Sequence, residues 1–456
     1  MDRRGFLAAG LGLAATPLLA GFRPAAASVR RRIPEPTAAL VTRWDTDPWS
    51  RGSYSALPPG TPPSVRRTLA DAMIGGRITL AGEYASTQFP ATTTGAYLSG
   101  EHAARRLLDR ARARTAIVIG AGIAGACAAR RLTDAGVDVT VVEARDRIGG
   151  RIHSDTAWDA PVELGAAWIH ALRGNPLVPL ARQADLKLLP TNYGDAVVRD
   201  TVTGRVSAAA DARWRAIGQL VGRLEEAWPS VDMSVATWLR RAGWTAGRID
   251  DWAQEVEIVQ EYGLDTNRLG VRATEEGGEY RGGDAMVAGG YDNIVELLLD
   301  GIECRLRTPV TSVRVQGSRV TATLRSGATI SADAVVVAVP LPILRSGTLA
   351  VADLPRAVTS AMRRIATGNL EKVILRYDEQ WWGDRQVYGV VGGGVPGAPA
   401  GTAAALRWTE FYSLTDVLGF PALVGFSGGS AARQRPRSDR ACAREAQAAL
   451  AAAFSG

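Results

Sequence analysis

Residues 115–143 read TAIVIGAGIAGACAARRLTDAGVDVTVVE. A short apolar stretch runs into the glycine loop Gly120–Gly125, a helical stretch follows, and a second apolar stretch over 137–142 ends at Glu143. A strand, a glycine-rich turn, a helix and a second strand that ends in an acidic residue are typical of a dinucleotide-binding domain. The stretch therefore predicts a βαβ unit whose helix N-terminus faces the phosphates of a dinucleotide.

The glycine loop and the acidic residue have separate predicted tasks. Gly120 permits a tight turn, Gly122 lets the backbone approach the pyrophosphate, and Gly125 lets the helix pack close to the strand. Glu143 is expected to accept hydrogen bonds from the ribose hydroxyls. The cofactor contacts predicted in this stretch are Gly120, Gly122, Ile123, Ala124, Gly125, Glu143 and Ala144.

Two further runs resemble the flavin amine oxidase family. They are ARDRIGGR over 144–151 and ELGAAWI over 163–169. Both are similar to fingerprints with which that family holds FAD extended across its first domain. Val310, in Pro309-Val310-Thr311, resembles a family residue that holds the adenine through its backbone. The resemblance implies further cofactor contacts from Arg145, Gly149, Gly150, Arg151, Gly165, Ala166, Ala167, Trp168 and Val310.

The family's C-terminal part is found at the front of this chain. Residues 41–60, 77–83 and 89–100 resemble the segment that cradles the flavin ring, yet they precede the glycine loop. The chain is therefore predicted to be circularly permuted, with its new ends near Pro36 and Phe454. Such a change is physically reasonable because domain termini usually lie at the surface and often near each other. The contacts implied in this segment are Trp49, Gly82, Glu83, Thr92 and Thr93.

The predicted fold class is α/β, or α+β overall, with a Rossmann-like FAD-binding domain and a substrate lobe of mixed sheet and helices. Between Trp168 and about Tyr262 the pattern favours helices. The predicted segments are a signal peptide over 1–27, the permuted flavin-ring segment over 37–112, the βαβ segment over 113–170, a mainly helical part of the substrate lobe over 171–280, a return to the FAD domain over 281–345, and the sheet and C-terminal helix of the substrate lobe over 346–456.

Lysine usage singles out one position. Lysine and arginine together number 53, but only Lys187 and Lys372 are lysines. A buried lysine can lose its proton, whereas arginine stays charged. Lys372 resembles the family lysine that holds a water against flavin N5, so the resemblance implies a catalytic role. Lys187 is expected to be an exposed strand or turn residue.

Tyr54 and Thr92 complete the predicted catalytic set. Tyr54 resembles one of two family aromatics that flank the substrate amine. Monoamine and polyamine oxidases carry a second tyrosine where this chain has Thr92, and the histone lysine demethylases also lack it. This departure leaves the substrate class open. Ser53 matches the position at which monoamine oxidases carry a flavin-linking cysteine, which implies noncovalent FAD.

The activity implied by the resemblance is FAD-dependent oxidation of a small amine. A hydride passes from the carbon next to a neutral amine to flavin N5, water hydrolyses the imine, and O2 reoxidises the flavin to give hydrogen peroxide. An L-amino-acid oxidase of the same superfamily is an alternative, and it would need a buried arginine for the substrate carboxylate. Desaturase-like relatives and a flavin-binding module without turnover are weaker alternatives, because they need neither Lys372 nor Tyr54. The oligomeric state stays open.

The bulk composition limits other functions. The 456 residues carry a net charge of +7 that is spread along the chain without a long basic run, so no nucleic-acid partner is expected. Cys127, Cys304 and Cys442 have no CxxC spacing. The three histidines are scattered along the sequence. We therefore expect neither a disulfide framework nor a metal site.

The first 27 residues resemble a twin-arginine export signal. Arg3-Arg4 precedes an apolar stretch that runs to Phe22, and Ala25–Ala27 offers a small-residue cleavage site. Because glycines and a proline interrupt the apolar stretch, stable insertion into a membrane is not expected. The sequence therefore predicts an exported protein that folds and loads its cofactor before export.

Overall fold

The computed structural model describes residues 32–227, 232–278, 280–394, 398–399 and 401–456. Its strands are β1 (Ala38–Val41), β2 (Tyr54–Ala56), β3 (Met73–Ile74), β4 (Ile78–Leu80), β5 (Thr115–Ile119), β6 (Asp138–Val142), β7 (Ser154–Asp155), β8 (Val162–Glu163), β9 (Trp168–Ile169), β10 (Lys187–Pro190), β11 (Ala196–Asp200), β12 (Arg205–Val206), β13 (Ala285–Ala288), β14 (Glu303–Arg305), β15 (Val310–Gln316), β16 (Arg319–Leu324), β17 (Thr329–Ala332), β18 (Ala334–Val337), β19 (Ala350–Val351), β20 (Ala366–Gly368), β21 (Leu370–Arg376), β22 (Val387–Val391), β23 (Glu410–Ser413) and β24 (Ala422–Gly428).

The α-helices are α1 (Ser64–Ala70), α2 (Thr93–Ala111), α3 (Ile123–Asp134), α4 (Leu177–Gln183), α5 (Ala208–Ala227), α6 (Val235–Arg241), α7 (Arg248–Gln254), α8 (Gln260–Tyr262), α9 (Asn293–Leu299), α10 (Leu341–Arg345), α11 (Arg356–Arg364), α12 (Thr415–Leu418), α13 (Gly429–Arg433) and α14 (Asp439–Ala453). Two 3-10 segments, Glu83–Ala85 and Val271–Glu275, and a π-helical segment, Glu255–Val259, complete the helical part of the described residues.

The nucleotide half is built on a six-stranded sheet in the order β14-β6-β5-β18-β4-β3. All of its pairs are parallel except β3 with β4. β5 and β18 consist almost wholly of buried apolar residues, as expected for parallel strands that are covered on both faces. The βαβ unit predicted from residues 115–143 is therefore present, with α3 between β5 and β6.

The segment in front of the glycine loop is part of this same half. β4 joins the sheet beside β18, in parallel register from Ile78 to Leu80. α2 packs against α3, and a Cβ atom added at Gly100 would lie 2.1 Å from the carbonyl oxygen of Ala124. Such a close helix approach requires glycine. Residues 73–111 thus complete the sheet and cover the helix that follows the glycine loop.

The substrate lobe contains a seven-stranded sheet in the order β1-β21-β24-β23-β22-β11-β12. Its first strand, β1, also comes from the front segment and pairs antiparallel with β21. The predicted segment 37–112 therefore contributes to both halves rather than to the flavin-ring part alone. A core with Trp408 and Phe411 separates this sheet from α14.

The helical interpretation of the chain after Trp168 is only partly right. β10, β11 and β12 lie between Lys187 and Val206, and the long helix begins at Ala208. The short apolar runs in β10 and β11 pair with distant strands, β13 and β22 respectively. Such pairing depends on partners far away in sequence, which local periodicity does not reveal. Lys187 is exposed at the start of β10, as predicted.

The two ends of the described chain meet. Gln447 Nε2 donates a hydrogen bond of 2.6 Å to Pro34 O. Ile33 and Phe454 belong to one hydrophobic cluster. The circular permutation requires such neighbouring ends, and it stays a prediction.

The predicted signal peptide, residues 1–27, lies outside the described residues. Within the described ranges, none of the helices combines the length and the apolar character that a bilayer crossing requires.

Candidate active site

One cavity lies between the two halves and collects almost every residue predicted to contact the cofactor or substrate. It opens at the carboxyl ends of β5, β6 and β18, where ligands of open parallel sheets are bound. The predicted residues that line it are Trp49, Tyr54, Gly82, Glu83, Thr92, Thr93, Gly120, Gly122, Ile123, Ala124, Glu143, Ala144, Arg145, Gly149, Gly150, Arg151, Gly165, Ala166, Ala167, Trp168, Val310 and Lys372.

The three loop glycines are used differently. Gly120 has φ +105°, and a Cβ there would lie 2.6 Å from Ala338 O. A Cβ at Gly122 would meet only Gly149 O, at 3.7 Å, so the space in front of Gly122 is open toward the cavity. Gly125 does not line the cavity, and a Cβ added to it would lie 1.9 Å from Gly120 O. The predicted contact from Gly125 to the cofactor stays a prediction, and the close packing predicted for this glycine is present.

Glu143 and Arg145 both have protein partners. The Glu143 carboxylate accepts the N–H of Ala121 and the N–H of Arg145, each at 2.8 Å. The Arg145 guanidinium makes a bidentate pair with Asp47, with N–O distances of 2.6 and 2.8 Å. Burial opposes ionisation of Asp47, but Arg145 holds the pKa of that carboxyl below its usual value. Arg145 thus fastens the front segment to the βαβ unit at the edge of the cavity.

Arg151 and Glu83 form a second link across the cavity wall. Arg151 Nη1 lies 2.9 Å from Glu83 Oε1 and donates to Ser53 O at 2.8 Å. The other Glu83 oxygen accepts the Ser55 hydroxyl at 2.5 Å. Burial raises the pKa of Glu83, but Arg151 and Arg66 outweigh that effect and keep it below its ordinary value. The two side chains therefore form an ion pair in the wall of the cavity.

Lys372 lies on β21 with its amine at the inner wall of the cavity. Its Nζ donates to Glu163 O at 2.8 Å and to Gly165 O at 2.6 Å. Burial lowers the pKa of Lys372 to about 8, although the Glu163 carboxyl acts in the opposite direction. Burial also raises the pKa of Glu163 to about 7. The amine can therefore hold or release a proton near neutral pH.

Aromatic side chains surround this amine. The centroids of Trp168 and Phe426 lie 6.0 and 5.9 Å from Lys372 Nζ. Tyr54 lines the cavity as well, and its hydroxyl donates to Gln260 O at 2.5 Å. Trp49 lines the cavity beneath the guanidinium of Arg325, which is 4.9 Å from the ring centroid. Trp168 and Phe426 thus lie beside the Lys372 amine, and Tyr54 and Trp49 add further aromatic surface to the cavity wall.

Thr92 lines the cavity, but its hydroxyl caps α2. Thr92 Oγ1 accepts the N–H of Gly95 at 3.0 Å and donates to Phe89 O at 2.7 Å. This is an N-cap arrangement, which satisfies the first turn of the helix. The hydroxyl therefore bonds to the backbone, and the catalytic role predicted for Thr92 stays a prediction. Thr93 Oγ1 is hydrogen-bonded to the Tyr291 hydroxyl at 2.8 Å.

Sequence reasoning missed several cavity residues. His170 lines the cavity two residues after Trp168, and its Nδ1 lies 2.9 Å from the buried Asp284 carboxylate. That carboxylate also accepts the Tyr193 hydroxyl at 2.8 Å. His170 directly follows the ELGAAWI run, which was the available signal, whereas Asp284 is more than one hundred residues away. Other missed lining residues are Trp44, Ser50, Thr308, Val339, Leu349 and Phe426.

The arrangement fits an extended dinucleotide. The N-terminus of α3 has no side-chain cap, so its first N–H groups are not taken up by a side chain of the protein. Together with the open space at Gly122, this end suits a pyrophosphate. The same cavity continues to Lys372 and the aromatic rings, where a flavin ring would lie. Within the described ranges, no cluster of three or more metal-ligating side chains could hold a metal ion.

Comparison with known proteins gives a family match over most of the chain. The model of the flavin containing amine oxidoreductase family matches residues 14–108, 123–231 and 272–455. Probable polyamine oxidase 4 of Arabidopsis thaliana is 30% identical over 337 residues, which covers 68% of this chain and 65% of that relative. The chain thus spans just under two thirds of the length of that relative.

Two further matches are to a histone demethylase and to a solved structure, both at lower sequence identity. Human lysine-specific histone demethylase 2 is 26% identical over 276 residues, covering 56% of this chain and 33% of the demethylase. A triple mutant of putrescine oxidase superposes with a TM-score of 0.58 at 20% identity, covering 75% of this chain and 81% of that chain. At that identity the likeness concerns the fold. Because the family model matches most of this chain, the chain belongs to the flavin-containing amine oxidoreductases.

Proposed function

We propose that this protein is an FAD-dependent oxidase of small amines. The observation that carries the proposal is the position of Lys372, a buried amine among aromatic rings in the same cavity as the glycine loop. The overall reaction takes an amine, water and O2 to a carbonyl compound, ammonia or a smaller amine, and hydrogen peroxide. When bound, FAD supplies the redox chemistry by taking a hydride from the carbon next to the amine nitrogen and passing the electrons to O2.

The residues at the phosphate end would hold the cofactor. The backbone at Gly122 and the uncapped N-terminus of α3 would bind the pyrophosphate. Glu143 would accept the ribose hydroxyls, and Val310 would meet the adenine. Ser53 Oγ is hydrogen-bonded to the backbone of Leu370, and none of the three cysteines lines the cavity, so we propose noncovalent binding.

The residues at the substrate end would select and orient a neutral amine. Trp168, Phe426 and Tyr54 present apolar surface, which disfavours an ammonium ion and excludes water. Lys372 Nζ, fixed by two backbone carbonyls, would hold a water or move a proton beside the reacting carbon. The protein thus contributes orientation, desolvation and one titratable amine.

The proposal is tested on the purified protein. Flavin released by acid should run as FAD, and anaerobic addition of a reactive amine should bleach the bound flavin, with peroxide formed when air is admitted. Turnover of amino acids alone would replace the proposal with an amino-acid oxidase. A flavin that no amine or amino acid reduces would leave a binding module. Peptide-bound flavin after acid treatment would contradict noncovalent binding.

A further inference from the structure

The backbone of Lys372 is held by a chain of hydrogen bonds on the side away from the cavity. Thr42 N donates to Lys372 O at 3.0 Å, and Lys372 N donates to Thr42 Oγ1 at 2.8 Å. The Thr42 hydroxyl in turn donates to Glu371 Oε2 at 2.6 Å. Thr42 and Glu371 are both buried. The amide of Lys372 is thus linked through one hydroxyl to a buried carboxylate.

That carboxylate belongs to a cluster of charges in which Glu371 and Arg435 are buried and Asp45 is partly exposed. Arg435 Nη2 lies 2.6 Å from Asp45 Oδ1 and 3.6 Å from Glu371 Oε1. The N–H of Asp45 donates to Glu371 Oε1 at 3.2 Å. The Arg435 side chain is 2% exposed and that of Glu371 is 0% exposed. Buried ion pairs resist displacement, because separating them leaves an unpaired charge away from water.

Trp44, two residues after Thr42, is bonded to the loop whose carbonyls accept hydrogen bonds from the Lys372 amine. Lys372 Nζ is bound by the carbonyls of Glu163 and Gly165, and Trp44 Nε1 donates to the carbonyl between them, Leu164 O, at 3.2 Å. Residues 42–45 therefore bind the backbone of Lys372 directly, through Thr42, and, through Trp44, the segment whose neighbouring carbonyls accept from its amine. A lysine side chain has four rotatable bonds, so its amine keeps one position only when both its backbone and the acceptors of its amine are fixed.

We propose that Thr42 and the Glu371–Arg435–Asp45 cluster behind it are positioning residues for Lys372, which set the place of its amine in the cavity. The expected effect on catalysis rests on the proposed function, whereas the effect on the position of the amine does not. The charged groups around Lys372 are Glu163 on β8, Glu410 on the same face of the sheet two strands away, and Glu371, Asp45 and Arg435 behind β21. Loss of the Thr42 hydroxyl frees the Lys372 amide and lets the amine leave its two carbonyls for a wetter position.

The test compares T42V with T42S. Because the chain has two lysines, ¹³Cε-lysine labelling gives two NMR signals, with exposed Lys187 as the reference. In T42V the titration midpoint of Lys372 should rise by about one unit or more toward that of an ordinary lysine. Flavin reduction by an amine should slow about tenfold while KM changes less than about twofold. T42S, which keeps the hydroxyl, should restore both quantities.

Thr274→Val is the matched control. Thr274 is as buried as Thr42, and its hydroxyl donates only locally, to Val271 O at 2.8 Å. This variant should lose stability without moving the Lys372 midpoint.

If T42V does not fold, R435K replaces it, and the Lys372 midpoint is expected to move in the same direction. A Lys372 midpoint in T42V equal to that of the wild type would overturn the positioning role. Absence of amine turnover in the wild type would overturn the proposed function, and the lysine titration would still test the positioning.

Discussion

Lys372 shows how the environment of one residue determines its chemistry. Arginine at this position would stay charged at every physiological pH, whereas a buried lysine loses its proton more easily. Burial lowers the pKa of Lys372 to about 8, and two carbonyl acceptors fix the amine against the cavity wall. Lys187, the other lysine, is exposed on β10. The two lysines of the chain therefore form a natural pair of test and control positions.

K372M tests the role of this amine. The variant should retain FAD, because Lys372 lies away from the glycine loop, but flavin reduction or reoxidation should slow by about 100-fold or more. The wild-type profile of rate against pH should carry a transition near 8 that the variant lacks. The measurement is stopped-flow absorbance of the bound flavin, first without oxygen and then with it. K187M should behave like the wild type, and equal rates in K372M would remove Lys372 from the mechanism.

The same pKa shift has a consequence for stability. The native pKa of Lys372, about 8, lies below its ordinary value of 10.5, so between these values the unfolded chain binds more protons than the native chain. This lysine therefore costs the native state most below pH 8, and the cost disappears as the pH rises toward 10.5. The difference in unfolding free energy between K372M and the wild type should shrink over the same interval.

At the scale of elements, Gly122 and Gly125 have different surroundings at the junction between β5 and α3. A Cβ at Gly125 would lie 1.9 Å from a backbone oxygen of the loop, so α3 could not pack as closely against the loop and β5 as it does. A Cβ at Gly122 would find room within the protein but would project into the cavity, where we propose that the phosphates bind. Gly125 therefore serves packing, and Gly122 is the glycine for which we propose a binding role.

This difference predicts opposite outcomes for two single-methyl variants. G122A should fold with a melting temperature close to that of the flavin-free wild type, yet it should lose FAD affinity, because the methyl group occupies the approach of the pyrophosphate. G125A should be destabilised by several kcal/mol, as expected for overpacking against backbone. Flavin content and thermal unfolding of the flavin-free proteins measure the two effects. Full flavin loading of G122A would place the phosphates elsewhere.

At the scale of the whole molecule, the front segment joins the two halves. β4 completes the nucleotide sheet beside β18, and β1 begins the substrate-lobe sheet beside β21. Arg145 pairs with Asp47, and Arg151 pairs with Glu83, so charges from the βαβ unit fasten this segment on both sides of the cavity. The active site therefore depends on residues that precede the glycine loop in sequence.

The predicted permutation can be tested by reversing it. A chain that begins at residue 113, runs to Gly456 and continues through a short linker into residues 33–112 should fold and bind FAD. The reason is that Pro34 and α14 are already in hydrogen-bond contact. Circular dichroism, flavin content and flavin reduction by an amine would be compared with those of the original chain. A control chain opened inside Gly120–Gly125 should lose FAD. Failure of the reordered chain to fold, with the original chain intact, would contradict the permutation.

The local sequence predicted a phosphate site and determined the class of fold. Residues 115–143 predicted the βαβ unit because a phosphate site of this kind is built from contiguous backbone, where glycine spacing and strand composition act directly. Lys372 and Tyr54 were found through the family resemblance, and the structure places both in the same cavity as the glycine loop. These residues were recognisable because each belongs to a short motif.

Only the tertiary structure decided which partners those residues have. The Arg145–Asp47 pair, the capping role of Thr92, the His170–Asp284 contact and the strands β11 and β12 were not predicted. Most of these features join residues far apart in the chain, because buried charges and strand edges find partners wherever the fold brings them together. The sequence determined what chemistry the chain carries, and the fold decided, through such long-range pairing, how its one buried lysine is held.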